Sequence, residues 1–369
     1  MKMAESMKSN LKFLFVLWIY NFVWYNPFSS QFYVKAERSY EETKISAITQ
    51  RLSIEISEIA PASPEDGNRQ TNEIHEILTF LGEAPKICQD DISFLSRCQA
   101  IKWLAFDDEL LDSSSIEFVQ RYILAVFYFA TDGDDWIYCS IRDDSPCEDD
   151  SSRFSRFLTP TVSVCQWYGI KCSTNSDGTR THITWMEFPE NNLKQVVKDT
   201  SLAPIIVPEI RLLSDHLELL WLQSNPSLGG TLPSWIGHMS ALQSLSLFNV
   251  GLEGTIPTTL YHLEQLDALR LYDNSLSGTI APEIRNMQSL SWLWLNNNNL
   301  TGDIPTELGS LKKLESLTLH NNRFENLEPP NVVCDLRQKK LKHLWIDCKS
   351  SEPLSDVSCK CCTRCFIIT

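Results

Sequence analysis

Cysteine carries the most reactive chemistry in this 369-residue chain, and its distribution is uneven: of 12 cysteines, Cys334, Cys348, Cys359, Cys361, Cys362 and Cys365 crowd into the last 36 residues. Two chemistries suit such a cluster. Cys359-x-Cys361-Cys362-x-x-Cys365 supplies enough thiolates for a structural zinc ion. Oxidative pairing into disulfides is the rival, and it is the one expected here, because the chain opens on what reads as an export leader. The pairing itself does not follow from the sequence. Asp132-Gly-Asp134-Asp135 has the outline of a calcium loop but lacks the alternating oxygen ligands and the bidentate Glu of an EF-hand. The seven histidines are scattered with none in H-E-x-x-H, and no G-x-S-x-G, P-loop or kinase signature occurs. The expectation is a chain that is not an enzyme and uses no cofactor and no metal. Asn299-Leu-Thr301 is a glycosylation sequon in a turn.

A second group of residues is suited to recognition. Trp221 and Gln223, Ser246 and Phe248, Arg270 and Tyr272, Trp292, Trp294 and Asn296, Thr318 and His320, and Trp345 recur at similar phase between leucines. Trp, Tyr and Arg dominate binding energy at interfaces. The competing explanation is that these rings merely pack on one another across strands.

What positions them is a repeat. The leucines Leu217, Leu242, Leu266, Leu290, Leu314 and Leu341 stand 25, 24, 24, 24 and 27 residues apart, each opening an L-x-x-L-x-L phrase. Leu220/Leu222, Leu245/Leu247, Leu269/Leu271, Leu293/Leu295 and Leu317/Leu319 alternate with period 2, which predicts a short strand per repeat with one buried face. One repeat cannot cover that face; stacking repeats side by side can. Asn225, Asn274, Asn298 and Asn322 follow three residues after the second strand leucine, where a buried amide can satisfy loop backbone groups, and Val250 replaces one of them. Turn glycines Gly230, Gly254, Gly278 and Gly302 give way to Asn326, which also tolerates positive φ. Pro208, Pro233, Pro257, Pro305 and Pro329 form a column that Ala281 breaks, with Pro282 one step late. This is a leucine-rich repeat array. The fold class is an α/β solenoid, a right-handed superhelix with a parallel concave sheet.

The phrase G-x-[Leu/Ile]-Pro resembles the plant-type subclass of these repeats, found in extracellular receptors and inhibitors and in related algal, diatom-like proteins. Ala130-Thr-Asp-Gly-Asp-Asp-Trp136, Cys165-Gln-Trp-Tyr-Gly-Ile-Lys-Cys172 and Ile183-x-x-Met186-x-Phe188-x-x-Asn191-x-Leu193 are similar to that family's N-terminal cap and first irregular repeat. The resemblance covers roughly 98–369, with Ile101-Lys-Trp-Leu-Ala-Phe-Asp-Asp108 similar to the algal cap helix. It implies a Cys165–Cys172 disulfide, with Cys139 and Cys147 less clearly matched, and a ligand held on the concave face. Fold does not fix function.

Taken in order, residues 1–36 read as a signal peptide: lysines precede an apolar core from Phe13 to Tyr25, and Val34-Lys35-Ala36 offers a cleavage site. An uncleaved anchor through Phe13 to Tyr25 is the alternative and the only membrane contact expected. Residues 37–71 are a lead-in with a helical Ile45, Ile48, Leu52, Ile56, Ile59 face or, alternatively, a strand at 52–56, and then a Pro61–Gly67 linker. Residues 72–182 form a helical, Cys-containing N-terminal cap. A helix there carries Ile74, Ile77, Leu78 and Leu81 and ends at Gly82; a second begins near Asp91 and carries Leu95, Cys98, Ile101 and Leu104; a third opens on a Ser114-x-x-Glu117 capping box. Repeats occupy 183–348 and a Cys-rich C-terminal cap 349–369. The net charge of −15 becomes −18 without the leader, which excludes nucleic acid and anionic membrane surfaces as partners. Two functions remain: a secreted or cell-surface scaffold for a protein or peptide, and a carbohydrate or cell-wall binder in which Trp faces stack on sugars and Gln223, Asn296 and Asp347 donate or accept hydrogen bonds.

Overall fold

The computed structural model describes residues 27–59, 70–90, 95–110, 114–140, 147, 155–176, 178–196, 205–349, 359 and 361–368. The apolar core at Phe13 to Tyr25 and the Pro61–Gly67 linker lie outside them. No helix among the described residues is long and apolar enough to cross a membrane.

The repeats form a solenoid. Strands β1 (Ile170–Thr174), β2 (Arg180–Glu187), β3 (Leu219–Trp221), β4 (Ser244–Ser246), β5 (Ala268–Arg270), β7 (Trp292–Trp294), β9 (Ser316–Thr318), β10 (His343–Lys349) and β11 (Arg364–Ile368) lie in that order in one sheet. β1 and β2 pair antiparallel and all later neighbours pair parallel. Aligned leucines explain the register: Leu220, Leu245, Leu269, Leu293, Leu317 and Leu344 stand side by side and each is at most 1% exposed. A one-residue slip would put every one of them on the wrong face. Short 3-10 turns form the opposite wall, opening after Pro233, Pro257, Ala281 and Pro305. Val207 and Pro208 share the Ala281/Pro282 arrangement, with proline at the first helical position. Pro330, not Pro329, precedes the short helix Asn331–Cys334.

The asparagine column works as a ladder. Asn274 donates to the carbonyls of Leu247 and Leu271 while its Oδ1 accepts from Val250 and Leu252 N–H, at 2.7–3.2 Å. Asn225 makes the same bonds to Leu222 and Phe188 carbonyls and to Asn191 and Leu193 N–H. Every loop would otherwise bury unpaired backbone groups. The turn glycines have a steric reason as well as a conformational one. At Gly254, Gly278 and Gly302 (φ 78, 77 and 72°) a Cβ would fall 3.1, 3.0 and 2.8 Å from the methyl of Thr231, Thr255 and Thr279, each in the preceding repeat. Asn326 departs from the expectation: it is not among the positive-φ residues. Its side chain instead accepts from Glu328 N–H, closing a local turn where no further threonine needs a socket.

Four helices cap the N-terminal end. Helix α1 (Pro27–Ile59) settles the lead-in as helical, because Ile45, Ile48, Leu52 and Ile56 all bury their side chains on one face against α2 and α3. The strand alternative at 52–56 is overturned. Helix α2 (Gln70–Asp90) does not stop at Gly82. Ala84 and Cys88 prolong the buried stripe of Ile77, Phe80 and Leu81, so packing continues past the glycine. Helix α3 is Leu95–Phe106 and α4 is Ser115–Ala130. Ser114 caps α4 by accepting from Glu117 N–H. Glu117 does not return the bond; its carboxylate takes Val164 N–H and Ser163 Oγ–H, stitching the helix to the cap loop. Beside it Arg121, fully buried, pairs with Asp108 at 2.6 Å and donates to Pro160 and Val162 carbonyls. Arg97 on α3 reaches Glu209 in the 3-10 turn Pro208–Leu213 at 2.6 Å, tying cap to array.

Six disulfides join Cys88–Cys98, Cys139–Cys147, Cys165–Cys172, Cys334–Cys361, Cys348–Cys365 and Cys359–Cys362. The implied Cys165–Cys172 pair is present. The zinc alternative falls, since all four of its thiolates are paired. Cys98 lies on a buried helix face as expected, but it is also bonded to Cys88, a bridge between α2 and α3 that the sequence did not announce.

Candidate ligand-binding face

Parallel register lines up one residue per strand on the concave face: Glu187, Trp221, Ser246, Arg270, Trp294, Thr318, Trp345 and Arg364. Two indoles of this row are seated by serines two residues earlier on the next strand. Trp221 Nε1 donates to Ser244 Oγ and Trp294 Nε1 to Ser316 Oγ, both at 2.9 Å, so each indole leans onto the strand that follows it. Ser246 and Thr318, expected to face solvent, are 1% and 5% exposed. Thr318 donates its hydroxyl to Asn296 Oδ1.

Arg270 is the centre of this arrangement. Its guanidinium carbon lies 5.3 Å from the ring of Trp294, 5.6 Å from Trp292 and 6.0 Å from Trp221. The residue is half-buried, and burial pulls its pKa down, with Tyr272 and Asp267 pulling the other way. Among the described residues no side chain or carbonyl accepts a hydrogen bond from it or forms an ion pair with it. The buried arginines Arg97 and Arg121 are each paired to a carboxylate. The five donors of Arg270 are thus without an acceptor among the described residues.

The neighbouring column continues the aromatic surface. Phe248 and Tyr272 stack at 4.3 Å and 12°, and Tyr272 meets Trp294 edge-on at 5.9 Å. Tyr272 has its hydroxyl pKa raised by partial burial and by Asp273. Trp292, 36% exposed, has the most open indole of the group. The structure thus brings together Trp221, Phe248, Arg270, Tyr272, Trp292 and Trp294.

His320 does not join them as a surface residue. It is 6% exposed, because Phe366 of β11 stacks on it at 3.7 Å and 7°. Burial lowers its pKa, Asp347 opposing, and its Nδ1 has no hydrogen-bond partner among the described residues. Asp347 is 2% exposed and holds Asn321 and Asn322 N–H, while Asn296 Oδ1 accepts from Thr318. Those two polar groups, expected to face a ligand, are engaged inside the protein. Asn299 stands half-buried on β8 (Asn299–Leu300), paired to β6 (Ser277–Gly278) in a separate two-stranded sheet.

Three residues of the face, Glu187, Arg364 and Phe366, escaped the sequence reading. Arg364 and Phe366 sit in the Cys-rich end, which reads as a disulfide clamp and nothing more. Their signal was the period 2 of Arg364-Cys-Phe366: Cys365 points into the core and bonds Cys348, so its neighbours must face the concavity. The Arg364 guanidinium carbon lies 4.9 Å from the ring of Phe366 and 5.3 Å from Trp345.

A family model for a leucine-rich repeat region matches residues 209–368. No curated protein sequence matches the chain. Among solved structures it is similar to a plant peptide hormone receptor, RGFR1 in complex with RGF2, at 29% identity over 38% of this chain and 22% of that one, TM-score 0.35. It is similar to the HAESA receptor kinase ectodomain of Arabidopsis, in complex with an N-terminally extended IDA peptide hormone, at 24% identity over 53% and 31%, TM-score 0.41. It is also similar to the SOBIR1 ectodomain of Arabidopsis thaliana at 22% identity over 51% and 82%, TM-score 0.34. The match spans about a fifth of the first receptor chain.

Proposed function

We propose that this protein is a non-catalytic recognition scaffold that holds an extended protein or peptide segment across the concave sheet. The carrying observation is Arg270, a half-buried guanidinium walled by three indoles and without a partner among the described residues. A cation left unpaired in a partly dry site costs free energy that a complementary ligand recovers. Carbohydrate binding is the weaker reading, for two reasons. The faces of Trp221 and Trp294 are shared with Arg270, and Asn296 and Asp347 are already bonded. Trp292, though the most exposed indole, also lies within 5.6 Å of the Arg270 guanidinium.

Six disulfides support an oxidising, extracellular location. Cleavage after Ala36, with anchoring by Phe13 to Tyr25 as the alternative, and a glycan on Asn299 are part of the proposal, as is kinship with the algal form of the repeat, which the helical cap and Cys-rich end support.

The test is selection of a peptide library on the purified protein, followed by titration of selected peptides against variants. Trp294→Ala is expected to weaken binding about thirtyfold, and Lys312→Ala, exposed and away from the sheet, to leave it unchanged. Peptides that bind Trp294→Ala and Arg270→Ala as tightly as the parent would move the site off the concave face.

A further inference from the structure

The second guanidinium of the face without an acceptor among the described residues, Arg364, gives the ligand a spacing. Arg270 and Arg364 occupy the same register row, on the fifth and ninth strands of the sheet. Four inter-strand steps of about 4.8 Å separate their backbones by roughly 19 Å. A peptide laid across the strands in extended form advances about 3.3 Å per residue, so about six residues bridge the two positions. Both guanidiniums lie over aromatic rings, Arg270 against Trp294, Trp292 and Trp221 and Arg364 against Trp345 and Phe366. Stacking fixes the plane of each fork and leaves its edge for an acceptor. No described acceptor bonds Arg364.

The charged side chains of the row itself point to the sign of the partner, with Asp267 near Arg270 lying outside that row. The chain carries a net charge of −15, yet from β5 to β11 both charged members of this row are positive. The row's acid, Glu187, lies three strands before Arg270 and pairs with Lys171 at 3.8 Å. Asp347, on a strand between the two arginines, is buried and bonded to backbone N–H groups.

Resting on the concave-face reading, we infer that the ligand is an extended acidic peptide with two carboxylates about six positions apart, one paired bidentately with Arg270 and the other with Arg364, and apolar or aromatic residues between them over Trp294 and Trp345. Carboxylates match the guanidinium fork in geometry and charge.

The experiment titrates dye-labelled, end-capped peptides of the form Asp-(spacer)-Asp, with alternating Thr and Tyr as spacer, into the full protein by fluorescence anisotropy. With five intervening residues affinity is expected to peak, falling about tenfold when the spacer is cut to two or when either Asp becomes Asn. Arg270→Gln should cost as much as one Asp→Asn change and add nothing to it; Arg364→Gln should behave the same way with the other Asp. The peptide-side changes need no altered protein, so misfolding cannot mimic the result. Affinity independent of spacer length, penalties that simply add for both pairings, or no binding of the five-residue-spacer probe would each overturn the inference. If Trp294→Ala weakens binding while the acids do not matter, the concave face stands and only the two-carboxylate ligand is lost.

Discussion

Replacing Asn298 by Ala tests the ladder that holds the repeats together, and the structure allows its cost to be worked out bond by bond. Asn298 Nδ2 donates to the carbonyls of Leu271 at 3.0 Å and Leu295 at 3.1 Å, and Oδ1 accepts from Leu276 N–H at 2.9 Å. The two carbonyls each have a second donor: Asn274 also bonds Leu271, and Asn322 also bonds Leu295. They would survive the substitution half satisfied. Leu276 N–H would not, since it lies behind fully buried Leu276 and Leu300 with no other acceptor in place. One orphaned donor costs about 1–3 kcal/mol and each lost second bond roughly 0.5 kcal/mol, giving about 2–4 kcal/mol in all. Urea unfolding followed by fluorescence measures the total, and amide exchange at Leu276 locates it. Asn298→Asp should be worse near neutral pH, because a carboxylate keeps the acceptor but faces two carbonyls. A loss under about 1 kcal/mol with unchanged exchange at Leu276 would refute the reasoning.

Arg121→Ala should cost about 3–5 kcal/mol, because it leaves Asp108 charged and buried. It should also free residues 159–163, visible as a new site of limited proteolysis. His320 gives a pH dependence whose sign follows from its lowered pKa. The unfolded chain binds the proton more readily, so the stability tied to neutral His320 is complete above the ordinary value of 6.5 and declines as pH falls below it. Melting temperature should therefore drop between pH 7.5 and pH 5, and His320→Phe, which can still stack on Phe366, should flatten that drop. An unchanged slope would remove His320 from the account.

Much of the array was legible because its constraints repeat. Leu245, Leu269, Leu293 and Leu317 are interchangeable in role, so each one read correctly predicts the next, and the asparagine column follows from the same periodicity. The cap was less legible. Gly82 is a good stop signal locally, but a helix ends where packing ends, and Ala84 and Cys88 still had a surface to cover. The Cys88–Cys98 bridge joins residues whose proximity depends on how α2 and α3 pack, which spacing does not encode. For the binding face, sequence phase identified the row of Trp221, Arg270 and Trp294. It could not show that strand β11 would close over His320, since that depends on where the cysteine-bonded terminal segment folds back. Nor could phase separate a tryptophan with a serine seat from a free one; that distinction rests on Ser244 and Ser316 in adjoining strands.

The fit of Thr231, Thr255 and Thr279 against Gly254, Gly278 and Gly302 has a consequence for how such a chain can grow. Each contact joins the threonine of one repeat to the glycine of the next, 23 residues later, so the half of the joint carried by any unit is useless without its successor. A duplicated stretch of 24 residues, cut at any phase, would restore both halves at each new junction. A tandem copy of 266–289 placed directly after residue 289 is therefore an addition that keeps every such joint whole.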